Sequence, residues 1–482
     1  MPNMLMNFTT NTENISSHVK KFSRQFKIGT ILQACGARKQ KGIEVMKVFY
    51  YLSSLLLCNI TMNRDQRTRN HRNLVRKDTC HRFLQSVSTD WNKFLSLLAK
   101  AIICKSFIPL RRKDCEGKEK PFFLIADDSS YYRNRSKKVE LFARNWDHAL
   151  GRHYKGFRML TLAWTDGISV LPVAFCNMST CNTKNRLNEA KTFCGKKQDS
   201  FGCRIRKLAQ QKMNDTLIDL IEVANAAKLR AKYVLCDKWF SSPVTIFSIL
   251  DTDHEVICML KNSSTYYVHK GNRRTLKQIF RILVEADRVQ RKLNRKAGIR
   301  KGKPKKFLFS TIISLVNKRE GTTKEVKLVF VRNRNKKSEF LSILCTDTGL
   351  TEDQIIEYYG CRWGIELMFH TCKSFLRLQK STQSLDYSEI HASTAIIMFQ
   401  YSMLSWLNRN NSDEISFGEL FYQLLEEVQD VALFNAIELV LSLFVETIAS
   451  EYSFPLEKLN ETVNNFLRQL PLILKNHFES VA

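Results

Sequence analysis

Two short apolar runs that stop on acidic residues limit what this chain can fold into more than any other feature. Phe122, Phe123, Leu124, Ile125 and Ala126 are followed by Asp127, Asp128, Ser129 and Ser130; Tyr233, Val234, Leu235 and Cys236 are followed by Asp237, Lys238, Trp239 and Phe240. Runs this short, rich in aromatic and branched side chains and bounded by polar residues, read as buried strands. Met159 to Ala163 and Ser169 to Phe175 add two more strands, joined by Trp164-Thr165-Asp166-Gly167, whose Asp-Gly step is a hairpin signal. Asp215 to Ala227 has Leu217, Leu220, Ile221 and Ala224 at helical spacing, Pro243 to Leu250 is a second helix, and Glu255 to Leu260 a fifth strand. The fold class is therefore α/β. In an open α/β sheet, ligands gather at the carboxyl ends of strands, which makes the aspartates site candidates. A lone aspartate at such a place is more often a turn residue.

A third acidic position changes that balance. Tyr359, Arg362, Glu366 and Lys373 fall within about an 80° arc of a single helix, with His370 beside them. Thr351 and Gln354 form a capping-box pattern ahead of it, and no proline interrupts the segment. Glu366 offers hard oxygen ligands for a divalent ion, while Arg362 and Lys373 offer cationic donors for phosphate. The competing reading is a solvated stripe with an i,i+4 Arg–Glu pair.

Taken together, these residues resemble a known family. The spacing Tyr359-x2-Arg362-x3-Glu366-x6-Lys373, within Cys361-Arg362-Trp363-Gly364-Ile365-Glu366, is similar to the Tyr–Arg–Glu–Lys signature of insertion-sequence transposases of family four, a branch of the DDE transposases. The resemblance covers about residues 120 to 380. It implies a ribonuclease-H-like core with Asp128, ahead of Ser129 and Ser130, as the first catalytic and metal-binding carboxylate, Asp237 as the second and Glu366 as the third. Asp127 is the rival for the first position. Tyr359, Arg362 and Lys373 are then the residues that hold the DNA-end phosphates. The cofactor implied is Mg2+, with Mn2+ as substitute, and the activity is cleavage of the element's ends and strand transfer to target DNA. A ribonuclease-H-like nuclease without strand transfer and an inactive DNA-binding remnant are the alternatives.

Helical patterns at both ends and the resemblance between them divide the chain into a helical DNA-binding domain (1–110), a first part of the catalytic core (111–260), a basic and partly β insertion (261–349), a second part of the core with the signature helix (350–410) and a C-terminal helical region, which the family would use for dimerisation (411–482). In the first unit, Ile43 to Cys58, Arg72 to Ser86 and Asp90 to Cys104 read as helices. Arg76, Lys77, His81 and Arg82 are compatible with a DNA-reading helix-turn-helix or with any small bundle. In the insertion, Leu276 to Lys292 reads as a helix, and Arg288 to Lys306 is a basic block broken by Gly298, Gly302 and Pro304. Its Arg295, Lys296, Arg300 and Lys301 are candidate DNA contacts, against the ordinary reading of a solvated loop. Lys327 to Arg332 and Glu339 to Thr346 follow as strands; Phe340 is either a core residue or a base-stacking one. Beyond 385, Ala392 to Leu407, Phe417 to Phe434 and Ile437 to Ile448 read as helices.

A formal charge of +30 and a pI near 9.6 call for an anionic partner. The resemblance implies that this partner is double-stranded DNA, as terminal inverted repeats and target, with two copies in the DNA complex. Membrane surface is the competing anion. Met1 to Thr12 lacks a basic-then-apolar order, Phe49 to Ile60 is too short to span a bilayer, and Glu438 and Glu446 interrupt Val431 to Ala449. The expected location is the cytoplasm, at the nucleoid. The 14 cysteines, scattered and without a secretory signal, read as reduced thiols. Cys176, Cys181, Cys194 and Cys203 lack the close Cys-x2-Cys unit of a structural zinc site.

Overall fold

The computed structural model describes residues 17–410, apart from 39–40, 58–60, 64, 66–74, 109–112, 148–149, 298–305, 318–319, 334–335 and 337–338, together with a few residues beyond 410. In chain order the main elements are α1 (Ser17–Gln25), α2 (Ile28–Ala34), α3 (Val45–Leu57), α4 (Lys77–Leu84), α5 (Trp91–Ile102), β1 (Phe123–Tyr132), β2 (Ala143–Asp147), β3 (Arg152–Thr165), β4 (Val170–Met178), α6 (Phe201–Leu208), α7 (Met213–Ala226), β5 (Tyr233–Cys236), α8 (Pro243–Leu250) and β6 (Glu255–Met259). There follow β7 (Tyr266–His269), β8 (Asn272–Thr275), α9 (Leu276–Lys296), β9 (Phe309–Val316), β10 (Thr323–Arg332), β11 (Phe340–Cys345), α10 (Glu352–Gly360), α11 (Trp363–Ser374) and α12 (Tyr387–Asn410). The expected helices at 417–434 and 437–448 lie outside the described residues except for isolated positions, as do Arg300 and Lys301.

A mixed sheet of 11 strands, flanked by helices, organises the molecule and is consistent with a ribonuclease-H-like core. β1 runs antiparallel to β3 along its full length, from Phe123↔Thr165 to Tyr132↔Gly156. It pairs parallel to β5 only from Phe123↔Tyr233 to Ala126↔Cys236, and β5 pairs parallel to β6. Every residue of β4 and β5 is buried, which explains why both are apolar but for Asn177: strands covered on both faces have no polar alternation to show. The strands of the insertion do not form a sheet of their own. β11 pairs antiparallel with β6 (Cys345↔Ile257), and β10, β9, β7 and β8 continue outward from it.

Helices cover the sheet according to their apolar faces. α5 buries Trp91, Phe94, Leu95, Leu98 and Ile102 and packs on β4 and α12. Its Asn92 amide bonds both backbone groups of Phe175 on β4, at 3.1 Å each, which ties α5 directly to the sheet. α12 is buried from Tyr387 to Arg409, a helix enclosed on all sides. α10 packs on β6 and β11, and α11 on β1 and β4.

Three expectations need correction. β1 does not stop at the aspartates: it continues to Tyr132, because β3 still pairs with it after β5 has ended. The signature does not lie on one helix. α10 ends at Gly360 and α11 begins at Trp363, with Cys361 and Arg362 in right-handed turns between them. Glycine has the lowest helix propensity after proline, and one stands on each side of the break: Gly360 ends α10, and Gly364 lies in the first turn of α11, where an added Cβ would lie 2.6 Å from Val170 Cγ2. Finally, the basic block is not wholly irregular: Arg288 to Lys296 complete α9, whose start carries a Thr275–Gln278 capping box.

Candidate active site

Strand register brings the first two acidic positions together. β5 parts from β1 after Ala126↔Cys236, so Asp127 and Asp237 are the next residues on parallel neighbours and stand side by side at that opening. Burial pushes the Asp127 carboxyl up to about 7, with Asp237 and Asp128 adding to the effect and Arg362 opposing it. Asp237 is also raised by burial, against the opposing pull of a 2.8 Å hydrogen bond from the Trp239 backbone N–H to its Oδ1 and of Arg362.

Asp127 and Asp128 are consecutive on β1, yet they meet different partners. Asp127 Oδ2 accepts a 2.7 Å bond from Arg362 Nη1, while Asp128 is held bidentately by Arg158 of β3, Nε to Oδ2 at 2.8 Å and Nη2 to Oδ1 at 2.6 Å. The Arg158 guanidinium also lies 4.8 Å from the ring centre of Trp239, which is half exposed two residues after Asp237.

The signature residues close the site from the helical side. Tyr359 lies near the end of α10, Arg362 caps α11, Glu366 is in the first turn of α11 and Lys373 in its last. Arg362 Nη2 bonds Glu366 Oε1 at 2.5 Å, and the guanidinium stands 5.9 Å from the Tyr359 ring centre. Burial alone would lower Arg362, but Tyr359, Asp127 and Glu366 hold it above its ordinary value, so it is a permanent cation here. Arg362 thus contacts carboxylates of both β1 and α11, where the sequence reserved it for phosphate. Lys373 is half buried; burial lowers its ammonium, with Asp147, Cys372 and Asp128 opposing, which places it toward the Asp128 side. His370 is exposed, its Nε2 3.5 Å from Ser374 Oγ.

Asp127, Asp237 and Glu366 therefore converge around Arg362, while Asp128 pairs with Arg158. Arg295 and Lys296 lie elsewhere, on the exposed end of α9, and make no ion pair among the described residues. Phe340 packs on Phe280, with centroids 4.3 Å apart, and edge-on to Phe330, the core role. Arg158 and Trp239 were not anticipated. One signal could have found Arg158: it is a lone charge within the apolar run Phe157 to Ala163, and a charge in a buried strand requires a partner.

The donor set suits a hard divalent ion: carboxylates on three elements, crowded enough that burial and mutual repulsion hold Asp127 near neutrality. As arranged, no group of three His, Cys, Asp or Glu among the described residues could hold a metal ion. Arg362 lies between Asp127 and Glu366 and supplies the positive charge there.

A family model described as DDE superfamily endonuclease matches residues 47–277, and one described as transposase DDE domain matches residues 205–399. These matches support a DDE-superfamily transposase. No curated protein matches the chain. The second DDE match runs through Asp237 and the whole signature, and the first contains both β1 aspartates. DDE-superfamily enzymes generally use divalent metals. No described helix is long and apolar enough to cross a membrane.

Proposed function

We propose that the chain is a cut-and-paste transposase of insertion-sequence family four, in its Tyr–Arg–Glu–Lys subgroup, which binds the double-stranded ends of its own element, cleaves them and joins them to target DNA. The observation that carries this reading is the double contact of Arg362, to Asp127 of β1 and to Glu366 of α11, beside Asp237. Phosphodiester cleavage needs an oxygen nucleophile freed of its proton and a phosphate held in line with it. Bound divalent ions supply the activation of the nucleophile and the neutralisation of the leaving oxygen. Asp237 and Glu366 would hold them together with a β1 aspartate. The contact with Arg362 favours Asp127 for that place over Asp128, the first choice on sequence. Mg2+ suits these oxygen donors, with Mn2+ as substitute.

Arg362 has two successive roles in this scheme. It neutralises Asp127 and Glu366 before DNA arrives, and its free donors then face the phosphate of the DNA end, with the Tyr359 ring keeping the guanidinium in place. Lys373 offers a second cation to the same strand. Arg295 and Lys296 on α9, with Arg300 and Lys301 after it, grip the duplex further out, where affinity comes from displaced counterions. Joining exchanges one phosphodiester for another and needs no high-energy cofactor. Pairing of two copies on the DNA, through the region beyond 410, and residence at the nucleoid belong to the same proposal.

A labelled duplex carrying the element's end, incubated with the protein and Mn2+, tests it. The expected products are cleaved ends and ends joined to a second duplex. Cleavage without joining means a nuclease, and binding without cleavage means a remnant. Asp237→Asn should abolish both products while end binding stays within about threefold, because affinity resides mainly in the cationic contacts.

A further inference from the structure

β1 presents two adjacent carboxylates where the chemistry requires one, and the structure treats them differently. Asp127 shares Arg362 with Glu366 and stands beside Asp237. Asp128 has both oxygens occupied by Arg158, in the side-on bidentate geometry that is the strongest form of an arginine–carboxylate pair. Arg158 is itself held from the other side by Trp239, so the guanidinium is fixed between the β1 carboxylate and the segment that follows Asp237. Both partners of the Asp128–Arg158 pair are largely buried, with side-chain exposures of 15% and 21%, so solvent screens it less than a surface pair.

We propose that Arg158 is a positioning residue that selects the working carboxylate: by neutralising Asp128 it leaves Asp127 to act with Asp237 and Glu366. This rests on the transposase reading of the same site. Without Arg158, Asp128 would stand unpaired beside an Asp127 still held by Arg362, with Asp237 in its field, and a divalent cation would be drawn to the wrong neighbour. The cation would bind more tightly because the local charge is one unit more negative, and less productively because its placement is wrong. Errors of placement of about one ångström already cost about a hundredfold in rate. Arg158 therefore opposes tight ion binding in favour of correct ion binding, the reverse of what a merely structural arginine would do.

The test uses the full-length protein, with Mn2+ binding followed by electron paramagnetic resonance in the absence of DNA and cleavage followed on a duplex carrying the element's end. Arg158→Ala and Arg158→Gln should bind Mn2+ several-fold more tightly than the wild type and cleave at least tenfold more slowly. Adding Asp128→Asn to either should bring Mn2+ affinity back down and recover most of the cleavage, because the surplus charge has been removed. Unchanged or weaker Mn2+ binding in both single variants, or a double variant no better than the single one, overturns the proposal. Circular dichroism and melting temperature identify a variant that fails to fold, and the more conservative Arg158→Gln then decides. The underlying site reading fails separately: if Asp237→Asn and Glu366→Gln in the otherwise wild-type chain leave Mn2+ binding untouched, the carboxylates do not form an ion site at all.

Discussion

Arg362 is the residue on which the candidate site turns, since among the described residues it alone bonds both a β1 carboxylate and the signature glutamate. Its planar fork reaches Asp127 with one terminal nitrogen and Glu366 with the other, at 2.7 and 2.5 Å. An ammonium on a flexible stem is a point charge and cannot hold two carboxylates in fixed relative positions. Arg362→Lys should therefore lower end cleavage on the order of a hundredfold, the scale of a small placement error, while salt-dependent end binding changes only a few-fold. A lysine variant that cleaves at the wild-type rate would show that charge alone, without geometry, is what the site needs. The same contact decides between the neighbours on β1. Asp127→Asn should remove cleavage where Asp128→Asn does not. The opposite result would return the first position to Asp128, as the two following serines suggested. The one local signal, Ser129 and Ser130, points to Asp128, whereas the contacts that favour Asp127 come from Arg158 and Arg362, which are far from both in the chain.

At the scale of elements, features with a local cause were legible and those set by pairing were not. Pro243 after the Ser242 cap starts α8 where expected, Thr351 and Gln354 cap α10 reciprocally, and Asp166-Gly167 turns β3 into β4. The second half of β1, Asp127 to Tyr132, is polar enough to read as a turn and is a strand only because β3 pairs with it. Likewise β2, β7, β8 and β9 are short or mixed in polarity, and the attachment of β11 to β6 has no sequence signal at all. Gly156 makes the β1–β3 pairing possible. Its φ is +153° and a Cβ there would lie 2.0 Å from the Tyr131 carbonyl oxygen. Gly156→Ala must move backbone that carries the aspartates and should cost at least about 2–3 kcal/mol in denaturant unfolding. Gly360→Ala, with nothing within 4 Å of the added carbon, should be neutral or stabilising by up to about 1 kcal/mol. Equal effects at the two positions would mean that the close approach at Gly156 relaxes without consequence.

Across the whole molecule, the sheet, the N-terminal helices and the segment after the signature are locked together around α12, and one buried group there makes the lock sensitive to pH. His391 stacks on Phe175 of β4 at 4.1 Å and lies 5.5 Å from Phe201 of α6; neither of its ring nitrogens has a hydrogen-bond partner among the described residues. Burial, with the nearby Arg206 cation adding to it, pushes its imidazole down from 6.5 to about 3. The sign follows from which state binds protons. Between pH 6.5 and about 3 the unfolded chain protonates this histidine and the folded chain does not, so folding loses stability as pH falls through that window. A full proton of difference corresponds to about 1.4 kcal/mol per pH unit. His391→Phe keeps an aromatic ring against Phe175 and removes the titration. Its unfolding free energy should therefore fall less steeply than that of the wild type from pH 6 to pH 4, by close to one proton's worth of slope, whatever offset repacking adds at neutral pH. Parallel curves for the two proteins would mean that His391 accepts its proton in the folded state, and that the contact of α12 with β4 opens to water well before the molecule unfolds.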